Sequence, residues 1–343
     1  MPRVVLAPDK YRGTAPAAGA AAAMATAATR LGWESTVLPL SDGGEGLLEA
    51  CAVVCPEEVA TVVTGPAGPP VTARWRVGDR TAVVESALAS GLVLVGGAEG
   101  NDPVAATSRG TGELLVAAAA RVGPGGTVVV GLGGSATTDG GLGALEAVRS
   151  AGGLVGVHLI GACDVATRFV DAAPLFAPQK GADPIQVAAL AARLEELADR
   201  YRSQYGVDVR GLAGSGAAGG LGGALAVLGA DLRSGYALVR DLVGLGPALD
   251  GADRVVTGEG ALDATSFVGK VVGGVIGDAR ARDLSTLVVA GRCTDEGAAT
   301  AREAGCDVVS LSERFGSGRA TTETEACLAE VVADWLGAPV EFG

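Results

Sequence analysis

TVVVGLGGSATTDGGLGALEAV, residues 127–148, is the stretch on which the reading of this chain turns. Thr127 to Val130 is a β-branched run of strand length, and LGALEAV from residue 142 has helix-forming composition. Between them, GLGGSATTDGG sets five glycines around a serine, two threonines and an aspartate. Glycine costs ordering entropy on folding and is useful where backbone approaches something closely or takes φ > 0. A glycine-rich strand-to-helix turn also presents backbone N–H groups at a helix N-terminus. The guest that suits it is an anion, phosphate above all.

The same strand–turn–helix order repeats outward from this unit. RVVLA leads to APDKYRGT and an Ala-rich helix at 15–31; STVLPL leads to SDGGEG and LLEACAVV; RVVTG leads to EGALD and a helix from 269. STLVVAG and CDVVSL follow, with helices near 296–304 and 322–336. Such alternation marks an α/β protein with largely parallel strands. EVATVVTG, PVTARWRV and RTAVVES differ, because GPAGPP and GDR turns join them and predict antiparallel pairing. We therefore expect a parallel-sheet domain at 1–62 plus 249–343 and an inserted mixed α/β domain at 63–248. A length of 343 residues also suggests two domains.

Composition narrows the function. With 48% hydrophobic and 19% charged residues the chain has material for real cores. A formal net charge of −13 argues against nucleic acid or an anionic membrane as partner, so an anionic substrate needs local positive charges. Six cysteines without a C-x-x-C pair argue against a disulfide framework or a zinc site, and fit a reduced, cytoplasmic compartment. Asp9 interrupts the first apolar run too early for a signal peptide, and PAAGAAAAMATAAT reads as a soluble core helix. Nothing in the sequence specifies an oligomeric state.

Several strand-like runs end in turns that carry carboxylates: Asp9, Asp42 with Glu45, Asp164, and Glu259 with Asp263. Asp139 joins them from the glycine-rich turn. Ligands of open α/β sheets bind at the carboxyl ends of strands. Singly, each acid serves as a helix cap; together they suit Mg²⁺ or a substrate hydroxyl. Among 26 basic residues only Lys10, Lys180 and Lys270 are lysines, each beside glycine or a turn. Lys180 and Lys270 read as phosphate or substrate contacts, where a compact ammonium does what a fork cannot. His158, the single histidine, reads as a strand residue satisfied by its neighbours. The chain has no G-x-S-x-G elbow and no Walker A lysine. GSGAAG at 214–219 matches G-x-G-x-x-G, but VDVRGLA before it is a poor strand. A turn feeding a tightly packed helix is the expectation there.

In this order, APDKYRGT, DGGEG, TSRGTGELL, GLGGSATTDGG, APQKGAD, GSGAAGGLGGAL, TGEGALD and GKVVGGV resemble the type I glycerate kinase family. The resemblance runs over nearly the whole chain. It implies ATP- and Mg²⁺-dependent phosphorylation of glycerate, in many members at the 2-hydroxyl. It also implies a flavodoxin-like domain with a second α/β domain inserted and an active site in the interdomain cleft. On that footing Gly133, Gly134 and Ser135, with Lys180 and Glu259, are expected to bind ATP. Asp42, Asp139, Asp263 and Lys270 are expected to act in catalysis, Asp139 and Asp263 also as Mg²⁺ ligands. Asp9, Arg109 and Asp164 are expected to meet the acceptor. As a loop acid beside glycines, Asp139 is expected to support no core.

The chain departs from the family pattern at Lys10, where a small hydroxyl residue is usual, at Arg12 in place of lysine, and at Thr138 in place of asparagine. A substantial segment is missing after Gly153, and ATRFVDAAPLF replaces the usual Asn-Pro-Leu after Val165. These changes bear on the acceptor more than on the kinase chemistry. They leave open another small hydroxy acid or polyol. From different classes, a Rossmann-type oxidoreductase or a non-catalytic binding module also stands as an alternative.

Overall fold

A computed structural model describes residues 1–163 and 166–337. Eleven strands lie among them: β1 (Arg3–Leu6), β2 (Glu34–Val37), β3 (Glu57–Thr64), β4 (Pro70–Val77), β5 (Thr81–Glu85), β6 (Thr127–Gly131), β7 (His158–Cys163), β8 (Asp231–Ser234), β9 (Arg254–Leu262), β10 (Ser285–Cys293) and β11 (Asp307–Ser310). They form two sheets, in the orders β11-β10-β9-β1-β2 and β3-β4-β5-β6-β7-β8. Contacts divide the chain into two compact units, Met1–Asp42 with Tyr236–Gly343, and Gly43–Gly235. The expected breaks at 62/63 and 248/249 fall inside β3 and inside the helix Leu245–Asp250. Residues 43–62 go with the inserted unit because β3 pairs with β4 along its whole length. The DGGEG loop is tied to β5 as well, since Glu85 accepts from the N–H groups of Gly46 and Leu48.

In the first unit every strand pairing is parallel, as the alternating pattern predicts. One face of its sheet buries Val4, Leu6, Val256, Leu287 and Val289. Against that face lie two helices, Ala17–Arg30 and Thr324–Gly337. The first presents Ala17, Ala20, Ala21, Met24, Ala27 and Ala28, an i, i+3, i+4 stripe of alanines around one methionine. This is why the Ala-rich run folds as a core helix. No helix of the described residues is long and apolar enough to cross a membrane. The opposite face of the sheet buries Leu262, Val288 and Ala290 against Val272 and Ile276 of the helix Val271–Arg280. Helices that follow β1 and β9 thus cover opposite faces, which makes the carboxyl ends of those two adjacent strands a topological switch point. β9 itself is longer than its sequence suggests. EGAL continues the strand instead of turning, paired with β10 as far as Leu262 opposite Cys293.

The second unit combines the expected antiparallel run β3-β4-β5 with parallel pairings β5-β6, β6-β7 and β7-β8. Its core packs the helix Arg109–Val122 against Trp75, Val84, Val128 and Val130 of the sheet. A separate cluster joins Phe169, Leu190, Leu194 and Tyr201, with the Phe169 and Tyr201 rings meeting edge to face at 5.8 Å. His158 begins β7 and is exposed, so it is a strand residue but is not enclosed by neighbours.

Candidate active site

The glycine-rich turn leaves β6 at Gly131, at the carboxyl end of the parallel strands. Leu132 N–H donates to Ala162 O at 3.0 Å, Leu92 N–H to Gly134 O at 2.9 Å, and Ala136 N–H to Ser90 O at 2.9 Å. These bonds fix the turn from both sides. The N–H groups of Gly133, Gly134 and Ser135 meet no acceptor among the described residues. Gly133 and Gly134 are also the solvent-accessible part of an otherwise buried turn. Gly134 has φ +60°, a conformation that glycine adopts without strain. Consecutive unpaired N–H groups, two of them on solvent-accessible residues, suit an anion.

Lys180 lies behind that turn, 6% exposed. Its Nζ donates to Ser135 Oγ at 2.9 Å and to Thr137 O at 2.6 Å. Burial pushes its ammonium down to about 8, opposed by the charge of Asp139. Asn101 braces the same loop, donating to Ala136 O and Lys180 O.

Asp139 is 2% exposed. Its Oδ2 accepts from Ser108 N–H (2.9 Å), Ser108 Oγ (2.7 Å) and Gly143 N–H (3.3 Å), and its Oδ1 from Gly141 N–H (3.0 Å). The carboxylate therefore caps the helix Leu142–Ser150 and ties it to the start of the helix Arg109–Val122. Both oxygens accept hydrogen bonds and the side chain is buried, so Asp139 is not the exposed loop acid expected from sequence. Ser108, which sequence reading passed over, is the other half of this tie. Its place immediately before a helix is the cap signal that marks it.

GSGAAG behaves as a packing device. The backbone of the segment inverts at Ala218, Gly219 and Gly220, and Gly140 N–H donates to Gly219 O at 3.0 Å. A Cβ on Gly219 would stand 1.9 Å from Thr137 O, so only glycine lets the two backbones meet. The match to a dinucleotide fingerprint is explained by this brace. Glu85 is a second missed residue, 6% exposed at the end of β5 opposite Gly131. Burial pushes its carboxyl up to about 7, against the N–H of Leu48. The rule that selected the other strand-ending acids applies to it equally.

In the first unit, Asp9 and Glu259 meet at the switch point. Leu6 lies opposite Val256, and beyond the end of β1 the N–H of Asp9 donates to Gly258 O at 2.8 Å. Burial pushes Asp9 up to about 6, with Lys10 opposing and Asp42 adding to the rise. Lys10 Nζ stands 3.6 Å from Asp9 Oδ1. Burial likewise pushes Glu259 up to about 7, against a hydrogen bond from Ser266 and with the charge of Asp9 adding to it. Glu259 Oε1 is buried and has no hydrogen-bond partner among the described residues. Asp263 differs. Its Oδ1 accepts from Thr265 Oγ1 (2.6 Å) and Thr265 N–H (2.8 Å), and these bonds hold it below the usual carboxylate range. Lys270 precedes the helix Val271–Arg280, and its Nζ donates to Thr265 Oγ1 at 3.2 Å.

Arg109 lies in the second unit, half-exposed, with Nε 3.0 Å from Glu113 Oε1. Asp164 lies outside the described residues. Among the described residues no three His, Cys, Asp or Glu side chains are grouped to hold a metal on their own.

The sequence profile of the glycerate kinase family matches residues 4–152 and 149–336. The chain belongs to the glycerate kinase family. This places it among small-molecule kinases. It is 36% identical to the glycerate 2-kinase of Escherichia coli K12, with 86% of each chain covered. It is 34% identical to the glycerate kinase of Bacillus subtilis 168, covering 84% of this chain and 85% of the other. A solved structure from Salmonella typhimurium LT2, of a chain assigned as a glycerate kinase 2, superposes with a TM-score of 0.81 at 32% identity over 98% of both chains. It shares the α/β architecture of parallel-sheet domains read from sequence.

The glycerate kinase of Halalkalibacterium halodurans aligns over 380 positions, more than the 343 residues here, so that relative carries segments with no counterpart in this chain. The profile match breaks at residues 149–152, where the missing segment was expected. The loop there runs to the amino end of β7, where Gly125 N–H donates to Gly156 O and His158 N–H to Gly126 O. It therefore sits at the opposite end of the parallel strands from the glycine-rich turn. The shortening is not at that turn.

Proposed function

We propose that this protein phosphorylates D-glycerate with ATP in a Mg²⁺-dependent reaction, with the 2-phosphate as favoured product. The observation that carries this reading is the row of unpaired N–H groups at Gly133, Gly134 and Ser135, in a chain of this family. Phosphoryl transfer needs positioning and charge neutralisation more than covalent help. The three N–H groups and the Ser135 hydroxyl hold phosphate oxygens, and Lys180 stiffens the turn and adds positive charge behind it. The Arg109 fork suits a carboxylate, and Asp9 suits a substrate hydroxyl. Lys270 neutralises charge on the transferring group. Asp42 serves the same reaction beside Asp9.

Mg²⁺ is commonly held by one or two carboxylates together with substrate phosphates. Asp263 fits that role, being accessible and held ionised through one oxygen only. Asp139 does not, because its oxygens are saturated. Bound there, the ion would neutralise charge developing on the phosphate oxygens.

The first expected result is ADP formation from ATP and Mg²⁺ that depends on D-glycerate. Enolase added without phosphoglycerate mutase reports the 2-phosphate directly. A folded protein that turns over none of a panel of small hydroxy acids and polyols would overturn the assignment. Another hydroxy acid or polyol is the second reading, favoured by the replaced stretch 166–176, whose Phe169 packs against the brace at Gly220 and Gly223. The same panel decides between them.

Lys180 adds a pH dependence. Its folded value of about 8 lies below the ordinary 10.5, so between the two the unfolded chain binds more protons and stability rises with pH. Turnover depends on the ammonium and falls through the same window. Rate and fold should thus diverge above pH 8. Chemical denaturation compared with Lys180→Met, which lacks this stability slope, checks the first half, and kcat against pH checks the second. A rate flat to pH 10 would show that the neutral amine suffices.

A further inference from the structure

Resting on the kinase reading above, we propose that Glu259 is the general base that takes the proton of the acceptor hydroxyl. Of the candidate carboxylates, Asp139, Asp263, Asp9 and Glu259 are separated by their surroundings. Asp139 is saturated by four donors. Asp263 spends one oxygen on the turn of Thr265 and is stabilised as an anion, which suits a cation and weakens it as a base. Asp9 spends Oδ1 on the N–H and ammonium of Lys10. Glu259 alone among these four has a buried oxygen with no hydrogen-bond partner among the described residues.

The backbone on both sides of it is closely packed. A Cβ on Gly258 would stand 1.9 Å from Val289 O and 2.3 Å from the Tyr11 hydroxyl, and one on Gly260 would stand 2.9 Å from Arg12 N. The segment after β1 is therefore laid directly against 258–260, at the switch point where open α/β sheets bind ligands. Tyr11 is buried beneath it, its hydroxyl donating to Val289 O at 2.7 Å, so it fixes the backbone without touching the carboxylate oxygen. An orphaned buried carboxylate oxygen destabilises a fold by its lost hydration. Such an atom at a ligand-binding position is a site held open. The proximity of Asp9 and the elevation of Glu259 toward neutrality then match its proton affinity to the task.

The acceptor O–H bond breaks and its oxygen pair forms a new bond to the γ-phosphorus of ATP. The bridging P–O bond breaks, its pair leaving on the β-phosphate of ADP, and the proton goes to Glu259 Oε1 and from there to solvent.

Glu259→Gln keeps shape and removes the basic oxygen. Expected is a loss of kcat of ~10²–10⁴-fold, with KM for ATP and the Mg²⁺ requirement within a few-fold of wild type. A melting temperature at pH 8 equal to or above wild type is also expected, since a buried charge has been removed. Glu259→Ala should recover part of its rate on adding formate. Near-normal kcat in Glu259→Gln would overturn the proposal, and so would a large rise in the Mg²⁺ requirement or loss of nucleotide binding. If Glu259→Gln proves misfolded, absence of formate rescue in Glu259→Ala overturns it instead. Failure of wild type on every acceptor would sink the kinase reading itself, a distinct outcome.

Discussion

Asp139→Asn should lose turnover and stability together. The four donors to this carboxylate come from Ser108, Gly141 and Gly143, and an amide must turn an N–H toward at least one of them. Hydrogen bonds to a charged acceptor are worth more than neutral ones, and a donor left buried and unmet adds its desolvation cost. A destabilisation of about 3 kcal/mol follows, a drop of roughly 6–12 °C in Tm for a unit of this size. The turn that carries Gly133, Gly134 and Ser135 is anchored by the same group, so kcat should fall at least ~10²-fold, the scale of an ångström-sized misplacement. Scanning calorimetry and steady-state kinetics on one variant read both. An unchanged Tm would contradict the tie seen here, and a full kcat with a low Tm would leave Asp139 as a cap alone.

That expectation differs from the one drawn from sequence, and the difference is instructive. TTDGG looks like an exposed loop because glycines and a carboxylate flank each other, and local sequence cannot report that a second glycine-rich segment lies on top of it. The packing of Gly140 against Gly219 and Gly220 is set by residues some eighty positions apart. The strand–turn–helix order, by contrast, is written locally in β-branched runs and alanine-rich stripes, and the parallel sheets follow from it. The antiparallel run β3-β4-β5 was legible for the same reason, through its short turns. Glu259 sits between these cases. Its position after RVVTG was readable, but that one of its oxygens is buried without a partner among the described residues depends on the tertiary packing around it.

The missing segment after Gly153 shows the same limit from another side. From sequence it belongs with the replaced stretch 166–176, because both lie before and after β7. A strand, however, separates its two ends by its own length. The shortening falls at the amino end of β7, while the replaced stretch lies past its carboxyl end. Only the second is on the side of the sheet where the glycine-rich turn opens, so acceptor choice is expected to follow residues 166–176.

Lys270→Arg should lower kcat about 10²-fold, and Lys270→Ala at least as much, while Lys10→Arg should change it little. In a chain with 23 arginines, a site that needs only positive charge would be expected to accept arginine. Lys270 stands at the N-terminus of the helix Val271–Arg280, whose N–H groups already favour an anion. Its ammonium rests on Thr265 Oγ1, the same hydroxyl that donates to Asp263, so lysine, threonine and the proposed metal carboxylate are held as one set. A compact point charge can follow a transferring phosphoryl group on its flexible stem. A guanidinium is planar and broader, and would have to displace the threonine or the phosphate to reach the same place. Lys10 is different because it faces Asp9, a partner that an arginine fork serves equally well. Lys270 is only partly buried, so none of the substitutions should move Tm by more than a degree or two. Steady-state kinetics on the three single variants separate the possibilities, and near-wild-type turnover by Lys270→Arg would reduce Lys270 to a surface charge.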